Sequence, residues 1–201
     1  MSLVIVLITI AVSVYAFYNQ ELVERLSMKP YLVYHRLQLQ RLLSHSLVHA
    51  DWSHLLVNMY VLYVFGGVCE DYFGMVFGSK GSFYFVQLYV LSLIFSSAWS
   101  VFKYKNDTHY SAIGASGAVM AVVFTSIFFD PWNKLWFFGV IPIPGVLFGV
   151  LYLGYSLYMS KRNSDNIGHD AHFIGAIFGL IYPVIIEPSL LQHFLNKLFG
   201  H

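Results

Sequence analysis

Residues 113–129 read IGASGAVMAVVFTSIFF, a run without one charged side chain. As a helix, about 17 residues rise roughly 25 Å, short of the roughly 30 Å of hydrocarbon in a bilayer. A spanning helix here is expected to start below the membrane surface. It opens with Gly114-Ala115-Ser116-Gly117. Glycine beside a serine lets another backbone approach the hydroxyl, and a helix N-terminus offers unsatisfied N–H donors and a partial positive charge to a developing anion. A G-x-S-G string is weak by itself. The same stretch also reads as a packing face of small residues, with Gly117, Ala121 and Thr125 spaced by four.

The rest of the chain follows the same apolar pattern. Of 201 residues, 58% are hydrophobic and 10% charged, whereas a soluble domain gives about 25% of its residues to charge. The expected fold is an all-α, polytopic membrane protein with six spans near 3–18, 52–68, 82–101, 113–129, 135–157 and 169–188. Glu70, Asp71, Gly74, Gly78 and Lys80 mark residues 68–82 as a loop, and Asp130-Pro131 closes the fourth span. Pro142 and Pro144 make the fifth span kinked or late in starting. No Lys or Arg precedes the first apolar run and no small-residue cleavage site follows it, so it is expected to stay as a span rather than leave as a signal peptide. The single cysteine, Cys69, excludes an internal disulfide and a thiolate cluster, and a net charge of +1 argues against a nucleic-acid surface.

Residues 19–51 carry Arg25, Lys29, Arg36 and Arg41 among many Leu, Tyr and Val. Such a segment is too apolar for a solvated linker and too charged to span. An amphipathic structure in the membrane interface, its basic side chains reaching toward headgroups, reconciles the two facts. Those same four cations dominate the loop charge count, so the positive-inside rule gives no orientation here.

Polar side chains inside spans are costly and mark function by default. His54 and Asn58 in the second span are four apart, on one helical face. Either alone is more often hydrogen-bond glue between helices. In the sixth span, His172 shares a stripe with Gly175 and Gly179, a G-x-x-x-G face that permits tight helix packing. If the facing helix is the fourth span, His172 meets Ser116 and a general base meets a nucleophile. Asp170, two residues from His172, does not share its face and is not expected to complete a triad.

Three motifs thus coincide on the second, fourth and sixth spans: His54-x-x-x-Asn58, Gly114-x-Ser116-Gly117 and Ala171-His172-x-x-Gly175-x-x-x-Gly179. In that combination and order the chain resembles the rhomboid family of intramembrane serine proteases, in particular bacterial GlpG-type members, from about Arg36 to Ile185. The resemblance implies a six-transmembrane-helix bundle with a long membrane-interfacial first loop and a single catalytic core over 1–201. It implies a serine endopeptidase of the bacterial cytoplasmic membrane that cuts the transmembrane segments of protein substrates within the lipid bilayer. Ser116 would be the nucleophile, His172 its general base and acid, and His54, Asn58 and the Ser116 N–H the oxyanion-binding groups, with no cofactor and no metal. Arg41 and Glu70 fit scaffold positions, and both termini would be cytoplasmic.

The chain departs from the family pattern in two places. Gln40-Arg41 stands where the family's first loop has a Trp-Arg pair, and Met120 stands four after the serine where GlpG-type members carry tyrosine. A thioether still packs against an imidazole, so activity is expected with a softer floor to the site. Two other readings compete. His35, His45, His49 and His54 crowd one region as candidate metal ligands, but no H-E-x-x-H and no carboxylate or cysteine joins them at ligand spacing. A rhomboid-like pseudoprotease that escorts membrane proteins need not keep both Ser116 and His172.

Overall fold

A computed structural model describes residues 1–137, 140–162 and 168–200, and the chain in it is mostly helical. In chain order the helices are α1 (Ser2–Phe17), the short α2 (Gln20–Leu26), α3 (Pro30–Arg36) and α4 (Arg41–Ser44), then α5 (Trp52–Phe77), α6 (Gly81–Tyr104), α7 (Ser116–Phe129), α8 (Gly145–Arg162), α9 (His169–Ile186) and α10 (Leu190–Phe199). The central element is α7, in which every residue except Ser116 and Met120 is buried. Around it pack α5, α6 and α9, while α1 lies against α5 and α8 against α9. Leu62, Phe73, Phe85, Leu88, Val122 and Phe128 build the core.

The outer surface is apolar as well. Leu3, Leu7, Leu56, Tyr60, Phe83, Val150 and Ile185 are all exposed, a patchwork a soluble monomer does not carry. Trp52–Tyr104 and His169–Ile186 are long and apolar enough to cross a membrane by length and composition. The first of these stretches folds back on itself at the 3-10 turn Gly78–Lys80, and Ser2–Phe17 and Ser116–Phe129 are shorter apolar helices.

Several sequence expectations need correction. Residues 68–77 are helix, not loop: α5 runs on to Phe77 and breaks only at Gly78, whose φ of 57° is left-handed. The charges mislead there because Glu70 turns back to accept from the backbone nitrogens of Met1 and Ser2, capping α1, while Cys69 and Phe73 continue the buried face. The fifth span starts at Gly145 rather than near 135, although residues 138 and 139 of that expected span lie outside the described residues. Before it, β1 (Lys134–Phe137) pairs antiparallel with β2 (Ile141–Pro144), Trp136 facing Pro142, a short ribbon that was not expected in an otherwise helical fold. A two-stranded ribbon has only edges, where proline's missing N–H costs nothing. The helix α10 was not foreseen, because ten residues of mixed polarity do not read as a span.

Residues 19–51 form short helices, but Arg41 does not reach outward. Its guanidinium is buried and donates to the carbonyls of Glu24 (3.0 Å) and Ser27 (2.6 Å), with Nε on Gln38 Oε1 at 2.6 Å. A fork of five donors suits the gathering of loop carbonyls, and Arg41 thereby folds the segment upon itself. The ladder pair between Met28 and Ala112 ties it to the chain entering α7.

Candidate active site

The site starts from missing side chains. A Cβ on Gly175 would overlap the carbonyl of Gly117, and one on Gly179 would overlap that of Ala121. The two backbones therefore touch, and Thr125 Oγ1 donates to the Gly179 carbonyl at 2.8 Å further along the same seam. Gly117 in turn admits the Ser96 side chain of α6. The small-residue stripe on α7 is thus a packing face, and Ser116 sits at its end. One turn before Gly175, His172 Nε2 lies 2.6 Å from Ser116 Oγ. With the ring proton on Nδ1, the serine hydroxyl donates to Nε2. Both side chains are only partly buried, so the pair is not sealed inside the core.

The chain enters α7 through Gly114, whose φ of 106° lies in the left-handed region. A Cβ there would stand 2.7 Å from His54 Cε1 and 2.8 Å from its Nε2. Glycine is required both by the backbone and by the imidazole lying on it. His45 then holds Gly114 from the other side: the Gly114 N–H donates to the His45 carbonyl at 2.9 Å, and His45 Nδ1 lies 3.1 Å from the Gly114 carbonyl. Ser97 Oγ of α6 is 2.9 Å from His45 Nε2. These bonds define one neutral tautomer, Nδ1–H donating to Gly114 and Nε2 accepting from Ser97. Burial agrees, pushing the His45 pKa down to about 4.

Behind it, His49 Nδ1 lies 3.0 Å from Ser13 Oγ, and its ring stands edge-on to His54 at 4.9 Å between centroids. Burial first, and then the neighbouring His54 and His45, push His49 down to about 3. His35 reaches Asn106 instead. Among the described residues no group of three His, Cys, Asp or Glu is disposed to hold a metal ion. Sequence reasoning raised His45 and His49 only as candidate ligands. The grip of His45 on the serine turn was missed because it joins residues 69 apart, and no spacing rule signals such a pair.

His54 and Asn58 stand on one face of α5, whose start is capped by Asp51 accepting from the His54 N–H at 2.8 Å. Asn58 is buried and uses one amide N–H on the His54 carbonyl of its own helix, 2.8 Å away; an amide nitrogen carries a second N–H. The Ser116 N–H opens α7, in the turn where helix donors lack intrahelical partners. Asp170 accepts from Lys103 Nζ (2.6 Å) and from the Ser160 hydroxyl, tying α6 and α8 to the start of α9. Asp107 accepts the N–H groups of His109 and Tyr110 in a turn. Met120, one turn below Ser116, is partly buried among the apolar clusters.

The fold is mostly helical with an apolar outer surface, and a serine–histidine pair stands at the start of its most buried helix; the comparisons supply the family. The chain belongs to the rhomboid family: residues 36–189 match the family model described as the Rhomboid domain. It is accordingly a membrane protein. It is 31% identical over 146 residues to Rhomboid protease GlpG of Haemophilus influenzae, covering 72% of this chain and 68% of that protein. It is 28% identical over 153 residues to RHOMBOID-like protein 12, mitochondrial, of Arabidopsis thaliana, covering 72% of this chain and 45% of that one. Rhomboid-like protein 11, chloroplastic, of the same plant is 28% identical over 150 residues, covering 66% and 47%. The chain thus spans about half the length of these plant relatives.

Proposed function

We propose that this protein is an intramembrane serine endopeptidase that hydrolyses a peptide bond in or near the transmembrane segment of membrane-protein substrates. The observation that carries this reading is the 2.6 Å approach of His172 Nε2 to Ser116 Oγ at a helix N-terminus. Ser116 attacks the carbonyl carbon while His172 takes its proton, and the imidazolium returns that proton to the leaving amine. Water, activated by the same imidazole, then releases the acyl group from Ser116. The tetrahedral oxyanion is received by the Ser116 N–H with Asn58 and His54, where each donor is worth most because water is scarce. A substrate helix must unwind locally to offer one peptide bond to the serine.

In the same reading α1, α5, α6, α7, α8 and α9 are six crossings around one catalytic core, residues 19–51 lie in the interface, and the host is a bacterial cytoplasmic membrane with both termini inside. The apolar outer surface supports the placement in a bilayer, and α7, at 14 residues and about 21 Å, is short enough for its Ser116 end to start below the membrane surface. Labelling of Ser2→Cys from outside intact cells would overturn it.

The catalytic test is direct. A serine-reactive phosphonate should label the purified protein at Ser116. Ser116→Ala and His172→Ala should each bring cleavage of a transmembrane reporter in detergent to background, because such a pair acts as a unit. Melting should stay unchanged in both, and chelators should leave the wild-type rate alone. A variant with near-normal turnover sinks the assignment.

A further inference from the structure

The helix α10 divides its circumference three ways. At about 100° per residue, Leu190, Phe194 and Leu198 form one stripe, buried or half-buried, with Phe194 stacked on Phe128 at 4.9 Å between centroids. Leu191, Leu195 and Phe199 form a second apolar stripe beside it, and all three are exposed. Gln192, His193, Asn196 and Lys197 occupy the remaining arc and are exposed too, Gln192 and Asn196 being bonded to each other at 2.7 Å. A helix docked on a water-bathed bundle needs one apolar stripe. Two adjacent stripes and one polar arc fit a helix with protein on one side, hydrocarbon on the next and water on the third.

Its surroundings match that division. His193 Nε2 reaches the Phe129 carbonyl at 3.1 Å, closing the C-terminal end of α7, and Trp132 Nε1 donates to the Leu198 carbonyl at 3.0 Å. Trp132 and Trp136 are both exposed, and the exposed cations Lys134 and Lys197 stand with them on the hairpin and helix. Tryptophan prefers the headgroup level of a bilayer, and basic side chains beside it meet anionic headgroups.

We infer that α10, together with Trp132 and the β1 strand that carries Trp136, forms a lipid-interface anchor, seated at the headgroup–acyl boundary of the leaflet opposite the opening of Ser116. The occupant of the Leu191–Leu195–Phe199 stripe is acyl chain. Because α10 is fastened to the C-terminal end of α7, the anchor sets the height of that helix, and hence of Ser116 at its other end, in the bilayer. This inference rests on membership of a membrane-protein family and not on catalysis.

The test places single nitroxide labels on Leu191→Cys, Leu195→Cys, Phe199→Cys, Gln192→Cys and Asn196→Cys in the full chain. The background is Ser116→Ala, and the vesicles are phosphatidylcholine and phosphatidylglycerol. Cys69 is fully buried and stays unlabelled. All five sites face away from the core, and a melt of each labelled protein confirms the fold. Labels at 191, 195 and 199 should collide with oxygen more than with a water-soluble nickel chelate, and the ratio should reverse at 192 and 196. Preference for nickel at all five sites would put the stripe in water. Shielding of 191, 195 and 199 from both reagents would mean a protein partner or a second copy. Either result overturns the anchor while leaving the protease reading untouched.

Discussion

The two flanks of Ser116 are held by opposite means. On the α9 side, backbone lies on backbone at Gly175 and Gly179, and the geometry depends on atoms that are absent. On the side of the first loop, Gly114 is gripped by hydrogen bonds from buried His45 and covered by the ring of His54, so the geometry depends on polar groups present in one protonation state. Acid should leave the packing of the first flank alone and loosen the second, whereas an added carbon should be rejected by both, at Gly175 and Gly179 by facing backbone and at Gly114 by its φ and the His54 ring.

The sharpest break of this contrast is Gly175→Ala. Its new methyl collides with backbone, which cannot rotate away, so the cost should sit at the top of the usual overpacking range, about 3 kcal/mol or more. Separation of α7 and α9 would also part His172 from Ser116. Thermal melts and reporter cleavage should fall together, and a well-folded, fully active variant would mean that the seam is looser than described.

Next in size come Asn58→Ala and His54→Ala. If these side chains meet the oxyanion, each loss should lower kcat by roughly 10² to 10³, about 2.7 to 4 kcal/mol of transition-state stabilisation, with little change in melting. If they only join helices, stability should drop by about 0.6 to 2 kcal/mol with normal turnover per folded molecule. Measuring kcat beside a melt separates the two.

The polar flank makes a prediction in pH. In the unfolded chain His45 takes a proton near its ordinary 6.5, but in the fold not until about 4. Its contribution to stability is therefore complete above pH 6.5 and lost as pH falls through that window, by on the order of 3 kcal/mol at most. His49 moves in the same direction. Melts between pH 7.5 and 4.5 should slope downward, and His45→Gln should flatten the slope at some cost in stability at neutral pH. A slope unchanged by that substitution would remove His45 from the account.

The smallest effect belongs to a glycine on neither flank. A Cβ on Gly154 of α8 meets nothing within 4 Å, so Gly154→Ala should leave activity intact and change stability by less than about 1 kcal/mol, in the stabilising direction. A large loss would show that α8 packs more tightly than its open glycine indicates.

Much of this was legible beforehand because the sequence signals were local. Apolar runs near 3–18, 113–129 and 169–188 lie within a few residues of α1, α7 and α9, since run length and composition decide whether a helix can bury its backbone in an apolar medium. Spacing placed His172 one turn from Gly175, and tight packing at that glycine against the correct neighbour brings the imidazole to the serine. The reading failed where a side chain's partner is remote. Glu70 looked like a loop charge because the nitrogens it caps belong to the start of the chain. By residue character alone Arg41 looked like a headgroup ligand, because the carbonyls it gathers are set by the fold of its own loop; only the family resemblance pointed to a scaffold position for it and for Glu70. Helix identity, the small-residue seam and the choice of candidate groups follow from the sequence by itself, because each is a property of one helix or one face. Which helix faces which, the neutral His45 clamp on Gly114 and the three-sided setting of α10 were decided only by tertiary structure, because each needs two distant segments to share a few cubic ångströms, and no local periodicity records that.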